Sequence, residues 1–298
     1  MVVSRRNAAG STRALLCALL VVRCRALQVQ RRRSSRSWAL GATGRSTHAL
    51  VDGEGRRSEA LELPDKVEGR RTFVFRPSEE SAIVKIASTS FYEGKLGHAI
   101  WPASVAGAVW AADRPELFRG KSVLELGSGV GAFGVAVAAL TPAARVCLSD
   151  MDATSDADFD SPSGLLAAQR SNVLGNGLDP ARVSSRRVDW ADTSDWGDER
   201  YDVVLAADCV YMPETVEPLA DALRHFIADG GAAYVFSVDR DWSDAKYERA
   251  SPSDLEAALR DDPHYRVARS DWTTTTASGD GAVVLLELSR RRDDDDLL

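Results

Sequence analysis

The sequence predicts an α/β fold: a doubly wound, mostly parallel sheet of seven strands with an antiparallel last strand. A hairpin and a helix are expected as an N-terminal extension ahead of it. Three observations carry this prediction. From residue 120 onward, short apolar runs alternate with stretches of helical composition, and such alternation means crossover connections and a parallel sheet covered on both faces. The runs at 203–207 and 282–286 are apolar throughout, as strands buried on both sides are. The final two apolar runs are separated by "TTTTASGDG" rather than a helix, so they should pair antiparallel.

The elements follow in order. "RTFVFRP" (71–77) and "SAIVKIA" (81–87) read as a hairpin or edge strands, and "WPASVAGAVWAA" (101–112) as a leading helix. "SVLELG" (122–127) is a strand ending in glycine. "VGAFGVAVAAL" (130–140) is a helix stopped at Thr141-Pro142, where proline cannot continue it. "RVCLSD" (145–150) is a second strand ending in an acid. "GLLAAQRSNVLGNG" (164–177) is a helix closing on Gly and Asn. "RVSSRRV" (182–188) and "YDVVLAAD" (201–208) are the third and fourth strands. "TVEPLADALRHFIADGG" (215–231) is a helix ending on a Gly pair, and "AAYVFSV" (232–238) the fifth strand. "PSDLEAALRDD" (252–262) is a short capped helix. "YRVARS" (265–270) and "AVVLLEL" (282–288) complete the seven.

Composition bounds the function. Of 37 basic residues, ten arginines lie in the first 51 residues, which hold no acid. Against 44 acidic residues this leaves 27 basic ones beyond, a net of −17. So acidic a body argues against nucleic acid as partner and suits a cationic substrate. Cys17, Cys24, Cys147 and Cys209 show no metal-ligand spacing and read as free thiols. No metal site is expected. His98, His225 and His264 read as structural or surface groups.

Residues 1–51 read as a targeting leader or a basic tail, apart from the fold. The apolar run Ala14–Val22 is nine residues, too short for a stable membrane span, which needs about 20. The Arg- and Ser-rich, acid-free remainder resembles an organelle address, for a plastid or mitochondrion, with the cytoplasm as the alternative. Residues 52–290 read as one folded domain and 291–298 as a charged tail.

"VLELGSGVGAFG" places Gly127, Gly129, Gly131 and Gly134 between a strand and a helix. Glycines there let the backbone turn tightly and approach a ligand, with the free N–H groups of the helix start aimed at the loop. Asp150 ends the next strand, where a carboxylate accepts hydrogen bonds from ribose hydroxyls. Glu125, inside the first strand, is a carboxylate that could hold an α-amino group; buried, it needs such a partner or a shifted pKa. Asp208 and Tyr211 end the fourth strand, at the edge where ligands bind in this fold class.

These residues resemble a known family. "VLELGSGVGAFG" followed by "LSD" resembles the first motif and second-strand acid of the class I, seven-strand, Rossmann-like S-adenosylmethionine-dependent methyltransferases. "GHAIWPAS" (97–104), "VDW" (188–190) and "AADCVY" (206–211) further resemble the protein-lysine methyltransferase group of the nicotinamide-N-methyltransferase-like family. The resemblance covers about residues 90 to 240. It implies S-adenosyl-L-methionine as cofactor and a protein with an exposed lysine as substrate. By position, it implies that Trp101 lines the cofactor site. Gly127, Ser128 and Gly129 would wrap the methionine part, Asp150 would take the ribose, Trp190 would flank the adenine and Ala207 would touch the cofactor by its backbone. Asp208 and Tyr211 match the Asp-x-x-Tyr motif bordering the methyl-transfer site. The acidic insertion "MDATSDADFDSPS" (151–163) leaves Asp150 and Asp152 both open as the ribose acceptor. Two alternatives stay beside this reading, a small-molecule N-methyltransferase and a non-catalytic Rossmann-like binding module. A nucleotide-dependent oxidoreductase is disfavoured by Glu125 and by the lack of a Tyr-x-x-x-Lys set.

Overall fold

Eleven strands form one sheet in the computed structural model, which describes residues 46–51, 57–64, 71–75, 84–88, 96–151, 164–240, 248–276 and 279–291. The strands are β1 Ser46–Val51, β2 Arg57–Pro64, β3 Arg71–Phe75, β4 Val84–Ser88, β5 Ser122–Leu126, β6 Arg145–Asp150, β7 Val183–Arg187, β8 Tyr201–Ala207, β9 Ile227–Asp239, β10 Tyr265–Thr276 and β11 Gly279–Arg290. The helices are α1 Pro102–Ala112, α2 Ala132–Leu140, α3 Leu165–Gly175, α4 Val216–Phe226 and α5 Pro252–Arg260.

The order is β4-β3-β2-β1-β10-β11-β9-β8-β5-β6-β7. Within it, β7-β6-β5-β8-β9 pair parallel, while β11 runs antiparallel to both β9 and β10. This is the seven-strand, mostly parallel sheet with an antiparallel last strand that the sequence predicts. The order turns at β5, where connections leave in both directions. Such a switch point opens a crevice at the carboxyl ends of the strands.

Both faces of the central strands are buried, and successive residues alternate between them. Val203 and Leu205 join one apolar cluster with α1 and α2; Val204 and Ala206 join the other with α4 and α5. On the first face Trp110, Phe133 and Phe236 pack edge to face at 5.4–5.6 Å. Gly107 lets α2 come close to α1: a Cβ there would meet the Phe133 ring at 2.7 Å.

The N-terminal extension is larger than the expected hairpin. β3 and β4 do pair antiparallel, but β1 and β2 continue the meander, and β1 joins it to β10. Ser46–Val51 thus belongs to the sheet, although the sequence sets it aside with the leader. β4 curls back onto α3, whose side chains complete its edge. Asn172 exchanges hydrogen bonds with the backbone of Ala87, and Asn176 with that of Lys85, at 2.7–3.1 Å. Two amides one helical turn apart stand in for a neighbouring strand and cover an edge that would otherwise be open.

Two boundaries differ from expectation: the last two strands run on into "TTTTASGDG", pairing as far as Thr276 opposite Gly279, and a helix end is displaced. The helix predicted to run to the Gly230-Gly231 pair ends at Phe226, and β9 begins at once. The glycines instead make an irregularity inside β9, where its pairing with β8 shifts register. Gly230 is left-handed at φ +67°, and a Cβ on Gly231 would meet two carbonyl oxygens at 2.9 and 3.0 Å.

Candidate active site

The turn from β5 to α2 is built from three left-handed glycines, Gly127 (φ +60°), Gly129 (φ +53°) and Gly131 (φ +82°). Two of them also permit close approach. A Cβ on Gly127 would lie 2.7 Å from Cys209 Sγ and 2.9 Å from the Trp190 ring. One on Gly129 would lie 2.5 Å from the Gly97 carbonyl oxygen. The segment preceding Trp101 therefore crosses the glycine loop, and Trp190 leans on its first glycine.

The loop is tied to β6 and α3. Ser128 donates from its N–H and its hydroxyl to Ser149 O, at 2.8 and 3.0 Å. Gly129 N–H donates to Asp150 Oδ2 at 2.8 Å, and Met151 N–H to Asp150 Oδ1 at 2.9 Å. The buried Gln169 amide donates to Ser128 Oγ and Gly129 O, both at 2.9 Å, and Asn172 donates to Val130 O. Gln169 and Asn172 escaped the sequence reading. Their signal was present: two amide residues three apart, on the same face as Leu165, Leu166 and Val173, the other buried residues of this helix.

Glu125 is 1% exposed and lies behind the loop. Its Oε2 accepts the Gly134 N–H at 2.8 Å, so a strand carboxyl caps the first turn of α2. Gly134 must lack a side chain, because a Cβ would sit 2.6 Å from that oxygen. Burial pushes the Glu125 pKa up to about 8, with the Asp150 charge adding to the rise and the Gly134 bond opposing it.

Ala207 ends β8, buried, and Asp208 follows in the left-handed region at φ +58°, the only non-glycine with positive φ among the described residues. The Asp208 side chain is 2% exposed and faces the end of β9. Oδ1 accepts from Arg240 Nη1 at 2.9 Å and from Val238 N–H at 3.3 Å, and Oδ2 accepts from Arg240 Nη2 at 2.6 Å. The Arg240 guanidinium in turn lies over the Trp101 ring, 5.6 Å from its centroid. Arg240 was not singled out from sequence, since nothing local marks it.

Tyr211 is partly buried, and its hydroxyl has no hydrogen-bond partner among the described residues; burial pushes the phenol up from its ordinary range. Cys209 is buried against Leu126 and Ala207 carbonyls, and its thiol is raised by burial, as befits a packing residue. His225 packs between Trp196 and Phe226 and meets Gly197 O. Phe91, Tyr92, Asp152 and the rest of the acidic insertion from 152 to 163, the leader up to residue 45 and the tail from 292 lie outside the described residues.

Trp101, Gly127, Ser128, Gly129, Asp150, Trp190, Ala207, Asp208 and Tyr211 thus gather at one edge of the sheet, with Glu125 just beneath. A sequence profile described as lysine methyltransferase matches residues 80–250. The chain is 31% identical over 183 residues to the human protein-lysine N-methyltransferase EEF2KMT, covering 57% of this chain and 52% of that protein. It is 30% identical over 184 residues to the mouse EEF1A lysine methyltransferase 3, covering 60% of this chain and 74% of the relative. It is 28% identical over 131 residues to the Arabidopsis thaliana calmodulin-lysine N-methyltransferase, covering 42% of this chain and 38% of the relative. The chain spans about half the length of EEF2KMT.

Proposed function

The chain belongs to the lysine methyltransferase family, and from this premise we propose that it transfers a methyl group from S-adenosylmethionine to lysine side chains of a protein. One observation carries the reading. A loop of three left-handed glycines at the end of β5 is flanked by the Asp150 carboxylate and the Trp190 ring, at the same sheet edge as Asp208 and Tyr211.

The residues present fit such a nucleoside. Two backbone N–H groups hold the Asp150 carboxylate at the end of β6, the place where a carboxylate of this fold class accepts from ribose hydroxyls. Trp190 offers a ring face beside Gly127 for an adenine. Glu125 lies beneath the loop, where a carboxylate can face an α-ammonium group. The cofactor supplies an electrophilic methyl on a sulfonium; the chain's own residues hold and align. Alignment of nucleophile, methyl and sulfur is worth up to about 7–11 kcal/mol.

A lysine substrate must arrive deprotonated. Its pKa of about 10.4 makes the neutral amine cost about 4 kcal/mol near pH 7.4. A dry site beside a positive sulfonium supplies much of that. The Tyr211 hydroxyl, unpartnered among the described residues, is the group available to orient the amine. The relatives' names include calmodulin and EEF1A as substrates. For this chain we propose a protein lysine within a basic segment, drawn in by the acidic body.

The experiment is calorimetric titration with S-adenosylmethionine, followed by transfer of its labelled methyl to proteins of a cell extract and mass spectrometry of the product. Binding and label on lysine are expected. Absence of nucleoside binding, or label confined to small molecules, overturns the assignment.

A further inference from the structure

The Asp208–Arg240 pair raises a difficulty for a carboxylate that meets the substrate. A free carboxylate beside the methyl-transfer point would attract the lysine as an ammonium ion and hold it in that form. The ammonium has no lone pair with which to attack. The carboxylate is not free, however. It is 2% exposed, takes both guanidinium nitrogens of Arg240 at 2.9 and 2.6 Å, and accepts the Val238 N–H as well. Arg240, about a quarter exposed, is held on its other side by the Trp101 ring.

We propose that Arg240 sets the charge of the methyl-transfer site, neutralising Asp208 so that the incoming lysine meets the sulfonium as a free amine. This rests on the methyl-transfer reading and deepens it. Arg240 acts through Asp208 and is a positioning residue. The planar fork of the guanidinium fixes both carboxylate oxygens, which a lysine at 240 would not do in the same way. The neighbouring charges do not repeat this role. Glu125 is capped by Gly134, and Asp150 by Gly129 and Met151. Asp239 lies 3.8 Å from Arg269 of β10. Glu214 and Arg249 act on Tyr211, with opposite effects on its phenol.

The test compares two cofactor analogues by calorimetry. S-adenosylhomocysteine is uncharged at sulfur. Sinefungin carries an amine-bearing carbon where the sulfonium and its methyl would be, and so probes the preference of the site for an ammonium. Arg240→Gln exposes the Asp208 charge, and the affinity of sinefungin relative to S-adenosylhomocysteine should rise about tenfold over wild type. The double variant Asp208→Asn/Arg240→Gln should return the ratio to the wild-type value, and Arg240→Lys should leave it within about threefold. A ratio unmoved in folded Arg240→Gln, or moved and not restored in the double variant, overturns the proposal. If Arg240→Gln does not fold, Asp208→Asn decides. It leaves the guanidinium uncompensated and should lower the ratio about tenfold; an unchanged ratio overturns the proposal. Wild-type protein that binds neither analogue would instead overturn the methyl-transfer reading.

Discussion

Glu125→Gln gives the sharpest test of how the carboxyl edge is built. The glutamine keeps an oxygen for the Gly134 N–H, so the cap on α2 survives, but nothing at 125 titrates. In the wild type the group goes from an ordinary value of 4.5 to about 8 in the folded chain. Between these values the native state keeps a proton that the unfolded chain releases. Its contribution to stability is therefore fully present below pH 4.5 and is lost as the pH rises through 8. A shift of this size corresponds to about 4–5 kcal/mol, at about 1.4 kcal/mol per pH unit inside the window. Urea unfolding at pH 5, 6, 7 and 8, followed by tryptophan fluorescence, should find wild type and variant close at pH 5. The wild type should then fall steadily behind. Parallel curves would refute the reasoning. The same carboxyl predicts the linkage to ligand. If it faces the α-ammonium of the bound nucleoside, binding near pH 7 should release close to one proton in the wild type and none in the variant. Calorimetry in buffers of different ionisation enthalpy measures this directly.

Three further outcomes follow from the geometry. Asp208→Ala strands the Arg240 guanidinium without its carboxylate and should cost about 3–5 kcal/mol of stability with near-complete loss of methyl transfer; a loss below about 1 kcal/mol, no more than separates many surface variants, would contradict the buried pair. Gly129→Ala adds a Cβ 2.5 Å from the Gly97 carbonyl at a φ of +53°. It should weaken S-adenosylmethionine binding by at least about tenfold, since backbone cannot yield as a side-chain end does, and wild-type affinity would show that the loop does not hold the nucleoside. Residues 1–51, fused to a fluorescent reporter, should carry it to a plastid or mitochondrion; a reporter spread evenly through the cytoplasm would remove the targeting reading.

The central sheet was legible because burial on both faces writes itself into consecutive apolar residues. Val203 to Ala207 serve two cores at once, so the run carries no polar interruption to confuse its length. β1 and β2 were not legible for the opposite reason. "STHALV" has neither an apolar run nor a turn signal, and its pairing with β10 is a contact across more than 200 residues. The Gly230-Gly231 pair misled because a helix stop and a strand irregularity both call for glycine; only the partner strand distinguishes them. At the site, the glycine loop was legible from local order alone, as was the acid that ends the second strand, with Asp150 and Asp152 both open as the ribose acceptor. Arg240 was not, because its partner is set by the neighbouring ends of β8 and β9, and 32 residues separate the two in the chain.

The acids at the sheet edge are engaged before any ligand arrives. Burial raises Glu125 enough to keep its proton near pH 7 and Gly134 caps it; two backbone N–H groups hold Asp150; a guanidinium fork holds Asp208. The edge therefore presents less negative charge than its residue types suggest, while the body beyond residue 51 carries a net of −17. The two scales serve different steps. On the proposed reading, long-range attraction gathers a basic protein segment and fades within a Debye length of about 8 Å at physiological salt. The local site must do the reverse, because a lysine that stays an ammonium cannot attack. A chain that attracted cations equally well at the reacting centre would bind its substrate in the form that does not react, and Arg240 is the residue that separates the two demands.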